Sequence, residues 1–325
     1  MKLAIIGATG LAGGKFIEII NSRIACNSIS EIELFCSDNS AGKPIYINGK
    51  IRKTQPLSEI GKYKFDYAVN FTQAEISKQV IPSLLDSGAT IIDNSSAYRM
   101  DKKVPLIIPE INGELCFCNK LISNPNCTTI ALALVLNAIS SYGLKRVVVS
   151  TYQAVSGGGK KALSDLIEAK DYDKLLYFPH PITNNCLPHI VDFTKDGYTK
   201  EERKVIDECR KILTLPNLKI TVTAVRIPIT NCHSESINIE TRQPFTIDDI
   251  KQKLSENKSI IVYDDPQNNC YPTPMVASGS PFVYVGRVRK DTSAKNAFNL
   301  WLTFDNLMKG ASYNAFQILS LLWEK

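Results

Sequence analysis

The opening of the chain constrains its fold more than any other stretch. Lys2-Leu3-Ala4-Ile5-Ile6 is a short apolar run, Gly7-Ala8-Thr9-Gly10-Leu11-Ala12-Gly13 follows, and Phe16, Ile19 and Ile20 then recur at helical spacing. A strand that turns through glycines into a helix lets backbone approach a pyrophosphate at the helix N-terminus, where unpaired N–H groups and the helix dipole favour an anion. Candidate strands follow at Ile32–Cys36, Phe65–Phe71 and Thr90–Asp93, with a helix over Ala74–Leu85. That alternation predicts an α/β, Rossmann-like, doubly wound parallel sheet that binds a dinucleotide.

Beyond residue 126 the pattern changes. A helix to about Ser141 precedes the β-branched stretch Arg146–Ala154, and Ser156-Gly157-Gly158-Gly159 opens another helical segment. Leu218–Ile229, Ser234–Arg242, Val283–Val288 and Ala297–Phe304 are rich in Ile, Val and Thr, and read as a mixed or antiparallel sheet faced by helices. The expectation is a second α+β domain over 127–305, with 1–126 and 306–325 forming the dinucleotide-binding domain. The closing stretch Ser312–Trp323 has helical apolar spacing and is expected to pack back on the first domain.

A length of 325 residues allows two cores, and 44% hydrophobic with 22% charged residues is ordinary for a globular protein. Runs such as Thr128–Leu136 are too short to span a bilayer, so no membrane association is expected. The net charge of +6 comes from lysines and arginines interleaved with acids. That distribution argues against nucleic acid and for anionic small molecules.

Nine cysteines, an odd number, with no secretory leader and no secreted-type framework, imply reduced thiols in a cytoplasmic protein. Cys127 differs from the others. In Ser123-Asn124-Pro125-Asn126-Cys127-Thr128-Thr129-Ile130 a turn ends, an apolar helix begins, and the thiol sits at the joint, where the helix terminus favours thiolate. Cys26, Cys36, Cys186, Cys209, Cys232 and Cys270 are read as structural. Cys116 and Cys118 lack the companions of a zinc site, so no metal is expected. Of three histidines, His180 and His189 lie in Pro- and Asn-rich loops, whereas His233 follows Arg226-Ile227-Pro228-Ile229-Thr230-Asn231-Cys232, where one strand delivers a guanidinium and the next begins with an imidazole. From spacing alone a structural role for His233 stays open beside an acid–base one.

Six motifs together are more specific. Gly7-Ala8-Thr9-Gly10, Asn124-Pro125-Asn126-Cys127-Thr128, Gln153-Ala154-Val155-Ser156-Gly157, Arg226-Ile227-Pro228 with His233-Ser234-Glu235, Val285–Asp291 and Asp305-Asn306-Leu307-Met308-Lys309-Gly310-Ala311 occur in that order. In this the chain resembles the aspartate-β-semialdehyde dehydrogenase family. The resemblance implies a reversible NAD(P)H-dependent reduction of β-aspartyl phosphate through a cysteine thioester, in lysine, threonine and methionine biosynthesis. It implies Cys127 as nucleophile, His233 as acid/base that activates the thiol and handles the thiohemiacetal proton, and Gln153 as the residue that orients substrate. Arg226 matches the substrate-carboxylate arginine, Arg99 the phosphate arginine, and Asn126 lies beside the nucleophile. Glu201 and Lys204, three apart after a Thr199 N-cap, match the pair for the α-ammonium and phosphate, with Glu202 an alternative to Glu201. Gly7, Thr9, Gly10, Leu11, Ala12, Gly13, Ser37, Ser40, Ser156, Gly157 and Asn306 are the implied cofactor contacts. A homodimer or homotetramer built through the second domain is expected.

Two departures stand out. Where many members carry Ser-x-Arg-Ser-x-Gly, this chain reads Ser37-Asp38-Asn39-Ser40-Ala41-Gly42, so an arginine for the 2′-phosphate is replaced by Asn39. Asp38 favours NAD; Lys43 can substitute for the arginine, and the family's usual NADP is the expected cofactor with NAD as alternative. Thr72-Gln73-Ala74-Glu75 stands where a glycine-rich loop is common. The rival readings are N-acetyl-γ-glutamyl-phosphate reductase, glyceraldehyde-3-phosphate dehydrogenase, an acyl-CoA reductase and, from another class, a non-catalytic nucleotide-binding paralogue.

Overall fold

Alternate residues of the first strand point into two different cores, and this sets the layering of the first half. A computed structural model of the protein describes residues 1–23, 29–168 and 172–323; Cys26 lies outside them. Contacts divide the chain into two units, Met1–Asn126 with Ala311–Lys325, and Cys127–Gly310. In the first unit Leu3 and Ile5 of β1 (Lys2–Ile6) pack with Phe16 and Ile20 of α1 (Leu11–Arg23) and with Ile318 and Leu319 of the C-terminal helix Tyr313–Trp323. Ala4 and Ile6 face the other way, onto Val80, Ile81 and Leu84 of α2 (Ala74–Asp86). The strands β2 (Glu31–Cys36), β5 (Gln55–Pro56), β6 (Tyr67–Asn70), β7 (Thr90–Asp93) and β8 (Leu121–Ser123) complete a parallel sheet ordered β5-β2-β1-β6-β7-β8. A separate hairpin, β3 (Pro44–Ile47) with β4 (Lys50–Lys53), follows β2, and α3 (Pro109–Asn112) is a single turn before β8.

The glycine turn is forced by sterics. Gly7 has φ +82°, and a Cβ there would meet the Phe71 carbonyl carbon at 3.1 Å. At Gly13 an added Cβ would lie 2.2 Å from the Gly7 oxygen, so only glycine lets α1 start this close to β1.

The second unit begins with α4 (Cys127–Ala138), whose residues Thr128 to Leu136 are all buried. It stops short of the expected Ser141 in a 3-10 turn, Ser140–Tyr142, closed by Gly143 at φ +71°. After β9 (Leu144–Gln153) and α5 (Lys160–Ile167) come α6 (Lys200–Ile212), β10 (Lys219–Arg226), β11 (His233–Thr241), α7 (Ile247–Ser255), β12 (Ile260–Val262), α8 (Pro274–Ala277), β13 (Val283–Lys290) and β14 (Ala297–Phe304). The sheet is mixed, in the order β10-β9-β11-β14-β13-β12, with β10 parallel to β9 and β12 parallel to β13. β10 ends at Arg226 rather than Ile229 because Pro228 has no N–H for a ladder. Two of the cysteines read as structural do not serve as core groups, since Cys186 is exposed and Cys270 only half-buried. Among the described residues no helix is long and apolar enough to cross a membrane.

Gly13→Ala is expected to lower stability by about 1–3 kcal/mol, as overpacking does. Gly14→Ala, where an added Cβ meets nothing within 4 Å, should be neutral or stabilising. Chemical denaturation of the two variants side by side checks the pair.

Candidate active site

In the second unit the parallel register of β9 and β10 brings Gln153 level with Arg226, both at strand ends. β10 is an edge strand, and its outer side is closed by reciprocal backbone bonds between Arg226 and Leu187 and by the carboxylate of Glu202, which accepts from the Ala224 N–H at 2.9 Å. One residue past Gln153, the backbone of Ala154 holds two functional side chains. Its N–H donates to His233 Nδ1 at 3.0 Å, and its carbonyl accepts from Arg226 Nη1 at 2.6 Å.

Both side chains are buried, and this shapes their chemistry. Burial first, then the Arg226 charge, pushes the His233 pKa down to about 3, so the ring is neutral at physiological pH. Because Nδ1 accepts, the proton of the neutral ring sits on Nε2, which has no hydrogen-bond partner. Burial also lowers the Arg226 pKa, opposed in order by Tyr177, Glu201 and Cys127. Gly157 fits against both groups: a Cβ on it would lie 2.9 Å from Arg226 Nη1 and 3.3 Å from His233 Nε2.

The connection from Arg226 to His233 is tightly tied. Cys232 adopts φ +71°, uncommon for a residue with a side chain, and its N–H donates to Asn306 Oδ1 at 3.0 Å. The Asn306 Nδ2 donates to Ser156 Oγ at 3.0 Å, so Asn306 and Ser156, both expected to meet a cofactor, brace one another. Asp305 accepts from Asn231 Nδ2 at 2.7 Å and from the Gly279, Leu307 and Met308 N–H groups. After it the chain forms a π-helical turn, Met308–Ser312, a rare geometry that clusters at functional sites. Within this turn Gly310 lies against Cys127: a Cβ there would come 2.9 Å from Cys127 Cβ.

Gln153 Nε2 donates to Glu201 Oε1 at 3.2 Å, while Thr151 Oγ1 donates to Gln153 Oε1 at 3.2 Å, which sets the amide's orientation. Lys204 Nζ lies 3.4 Å from Glu201 Oε2. Glu202, the alternative to Glu201, is engaged elsewhere in a capping box with Thr199. Nearby, Glu235 is fully buried with neither carboxylate oxygen hydrogen-bonded, and burial pushes its pKa well up.

In the first unit Asp93 accepts from Asn70 Nδ2, Ser77 Oγ and the Ser95 N–H and Oγ, shaping the loop that carries Arg99. Arg99 is buried, with Nη2 donating to the Asn94 carbonyl at 2.6 Å. Asn124 donates to Asn94 Oδ1 and accepts from Asn314 Nδ2, both at 2.7 Å, a chain of three amides. Thr72 donates twice to Asn70 Oδ1, which explains how a glycine-poor loop turns after β6. Ser37, Asp38 and Asn39 are exposed at the end of β2, and Thr54 Oγ1 ties that loop down through the Ser40 carbonyl.

The sequence motifs thus bring Cys127, Gln153, Ser156, Gly157, Glu201, Lys204, Arg226, His233 and Asn306 into the second unit, and Gly7–Gly13, Ser37, Ser40, Arg99 and Asn126 into the first. Sequence reading missed Ala154, which has no functional side chain, and Gly310, although it lies inside a quoted motif.

A glycine-turn nucleotide fold, then a helix that starts on a thiol, then a mixed sheet that carries an imidazole and a guanidinium is the build of a semialdehyde dehydrogenase. The semialdehyde dehydrogenase NAD-binding domain matches residues 2–116, and the semialdehyde dehydrogenase dimerisation domain matches 136–309. Aspartate-semialdehyde dehydrogenase of Aquifex aeolicus is 43% identical over 99% of this chain and 97% of its own, and that of Bacillus subtilis is 38% identical over 99% and 97%. The structure of aspartate semialdehyde dehydrogenase II from Vibrio cholerae complexed with ASA superposes with a TM-score of 0.92 at 34% identity, over 100% of this chain and 98% of that one. The chain belongs to the aspartate-semialdehyde dehydrogenase family.

Two outcomes follow from the burial of this site. The folded protein holds a proton on Glu235 that the unfolded chain releases above about pH 4.5, so the stability linked to this group is full below that pH and is lost as pH rises. Glu235→Gln should therefore gain stability over the parent progressively as pH rises above about 4.5, read from denaturation midpoints. His233 has the opposite sign, its contribution fading as pH falls below about 6.5. Separately, Gly310→Ala should displace Cys127 and cut kcat roughly 100-fold while leaving cofactor affinity intact.

Proposed function

We propose that the protein catalyses the reversible, phosphate-dependent interconversion of L-aspartate-β-semialdehyde and β-aspartyl phosphate with NADP, in the biosynthesis of lysine, threonine and methionine. The observation that carries this reading is the pairing, through Ala154, of a neutral Nε2–H imidazole with a buried guanidinium in the unit that Cys127 begins. A pure nucleotide-binding protein needs none of these groups in that arrangement. The names of the relatives support this substrate over N-acetylglutamyl phosphate or an acyl-CoA.

In the reductive direction the Cys127 thiolate adds to the acyl carbon, phosphate leaves, and a thioester remains on Cys127. The nicotinamide, when bound, supplies the hydride. The His233 Nε2–H then hydrogen-bonds the oxygen that gains charge on the thioester carbon, and collapse of that tetrahedral adduct gives the aldehyde and expels Cys127 as the thiolate that began the cycle. Donation is the role its tautomer favours; to take the thiol's proton the ring would have to give up the Ala154 bond. Arg226 holds the substrate carboxylate, Gln153 orients the reacting group, and Glu201 takes the α-ammonium. Lys204, Arg99 and Asn126 receive the phosphate. A reducing, cytoplasmic setting is part of this reading, because a thiol nucleophile works only while reduced.

The glycine turn passes a steric test for a dinucleotide, since Gly7 and Gly13 are required for α1 to start over the end of β1. Gly7, Thr9, Gly10, Leu11, Ala12 and Gly13 hold the pyrophosphate, Ser37 and Ser40 the ribose end, and Ser156, Gly157 and Asn306 the nicotinamide side. With Asn39 in place of arginine, exposed Lys43 meets the 2′-phosphate. The dimerisation domain is assigned to a homodimer, or a pair of dimers.

Purified protein should reduce NADP with aspartate semialdehyde and phosphate; turnover of N-acetylglutamate semialdehyde instead would refute the assignment. Cys127→Ser should abolish turnover while fluorescence titration shows NADPH binding unchanged. Asn39→Arg is expected to raise the NADP-to-NAD ratio of kcat/KM about tenfold, the size of one charge-assisted contact.

A further inference from the structure

The glycine pair beside the acid and the arginine has a second wall. A Cβ on Gly158 would lie 2.6 Å from Cε1 and 2.7 Å from Cζ of Tyr177, so the hydroxyl-bearing end of that ring rests on Gly158. The preceding glycine lies against Arg226 Nη1 and His233 Nε2. The Tyr177 hydroxyl and the Arg226 guanidinium therefore flank one short piece of backbone. The phenol also acts on the arginine, since it is foremost among the groups that oppose the effect of burial on that cation.

Tyr177 is held there by an unusual clamp. Asp165 of α5 is fully buried, and its carboxylate accepts three backbone N–H groups, those of Leu176 at 2.8 Å and of Tyr177 and Phe178 at 2.9 Å. Three bonds to one carboxylate fix a segment that has no strand partner. Phe178, packed with Val155, Ala162, Ile182 and Leu187, anchors the same segment from its apolar side. The Tyr177 ring itself remains 44% exposed, open to whatever enters the site.

We infer that Tyr177 is a substrate-binding residue whose hydroxyl donates to the substrate α-carboxylate beside Arg226, and that Asp165 is the positioning residue that sets it there. The inference deepens the semialdehyde reading and rests on it. Arg226 gives one N–H to the Ala154 carbonyl, and a carboxylate has about four lone-pair sites, more than the remaining fork fills. A phenol adds a donor without adding a buried charge, and its rigid ring loses little entropy on binding.

Steady-state kinetics of the parent, Tyr177→Phe, Asp165→Asn and the double variant decide the matter. Tyr177→Phe keeps the ring on Gly158 and removes only the hydroxyl. It should raise the KM for aspartate semialdehyde about tenfold, with KM for phosphate and NADP within about twofold of the parent. Asp165→Asn should raise the same KM, and the double variant should be no worse than the more affected single one, because both act through one contact. An unchanged semialdehyde KM in Tyr177→Phe overturns the inference while leaving the semialdehyde reading intact, as does an equal rise in all three KM values. A parent enzyme that does not turn over the semialdehyde overturns both. Should Asp165→Asn fail to fold, Tyr177→Phe alone decides.

Discussion

The backbone of Ala154 is the constraint on which the chemistry of the second unit depends. Its N–H fixes the tautomer of His233 and its carbonyl takes up one N–H of Arg226, so a buried imidazole with a free N–H and a buried guanidinium are set by one residue. Side-chain orienters can swing away, whereas these backbone groups are anchored by β9 on one side and by the Val155 and Ser156 bonds to Ile229 and Thr230 on the other. The preorganisation that transition-state stabilisation demands is thus supplied by strand register.

This arrangement is held against a local penalty. His233 Nε2 and both oxygens of Glu235 are buried without hydrogen-bond partners. A buried polar atom left unpaired costs about 1–3 kcal/mol, and proteins tolerate such atoms chiefly at sites of function. The offset comes from α4, buried all round from Thr128 to Leu136 and packed against α6 and α7. Asp305 and Asn306 add rigidity where the chain is strained, holding Cys232 in its left-handed conformation just before His233.

Much of this was legible in the residues. Strand, glycine turn and helix announce themselves locally, because Gly7 and Gly13 answer a steric demand within one turn. Cys127 at a helix start, Thr199 as a cap and the mixed second sheet were also readable. What was not legible depends on pairing across sequence. That Glu202 is engaged by the edge strand while Glu201 meets Gln153 turned on bonds from Ala224 and Gln153, and the character of His233 on a bond from Ala154. Four-residue strands such as those of the β3–β4 hairpin carry too short a period to separate from loop. Asp165 looks like any helical acid until the loop it clamps is folded beside it.

The contact between Gly310 and Cys127 joins the last residue of the second unit to its first. The first unit in turn is interrupted by the whole of the second and completed only by the C-terminal helix. On a ribosome that releases the chain from its N-terminus, neither unit can close until residue 310 and the helix beyond it have emerged. The thiol, a group open to oxidation whenever exposed, therefore stays without its shielding neighbour from its own synthesis until residue 310 has followed. Assembly of the surroundings of Cys127 and completion of the two units become one late event, so a chain truncated before Gly310 carries the cysteine but not its neighbour.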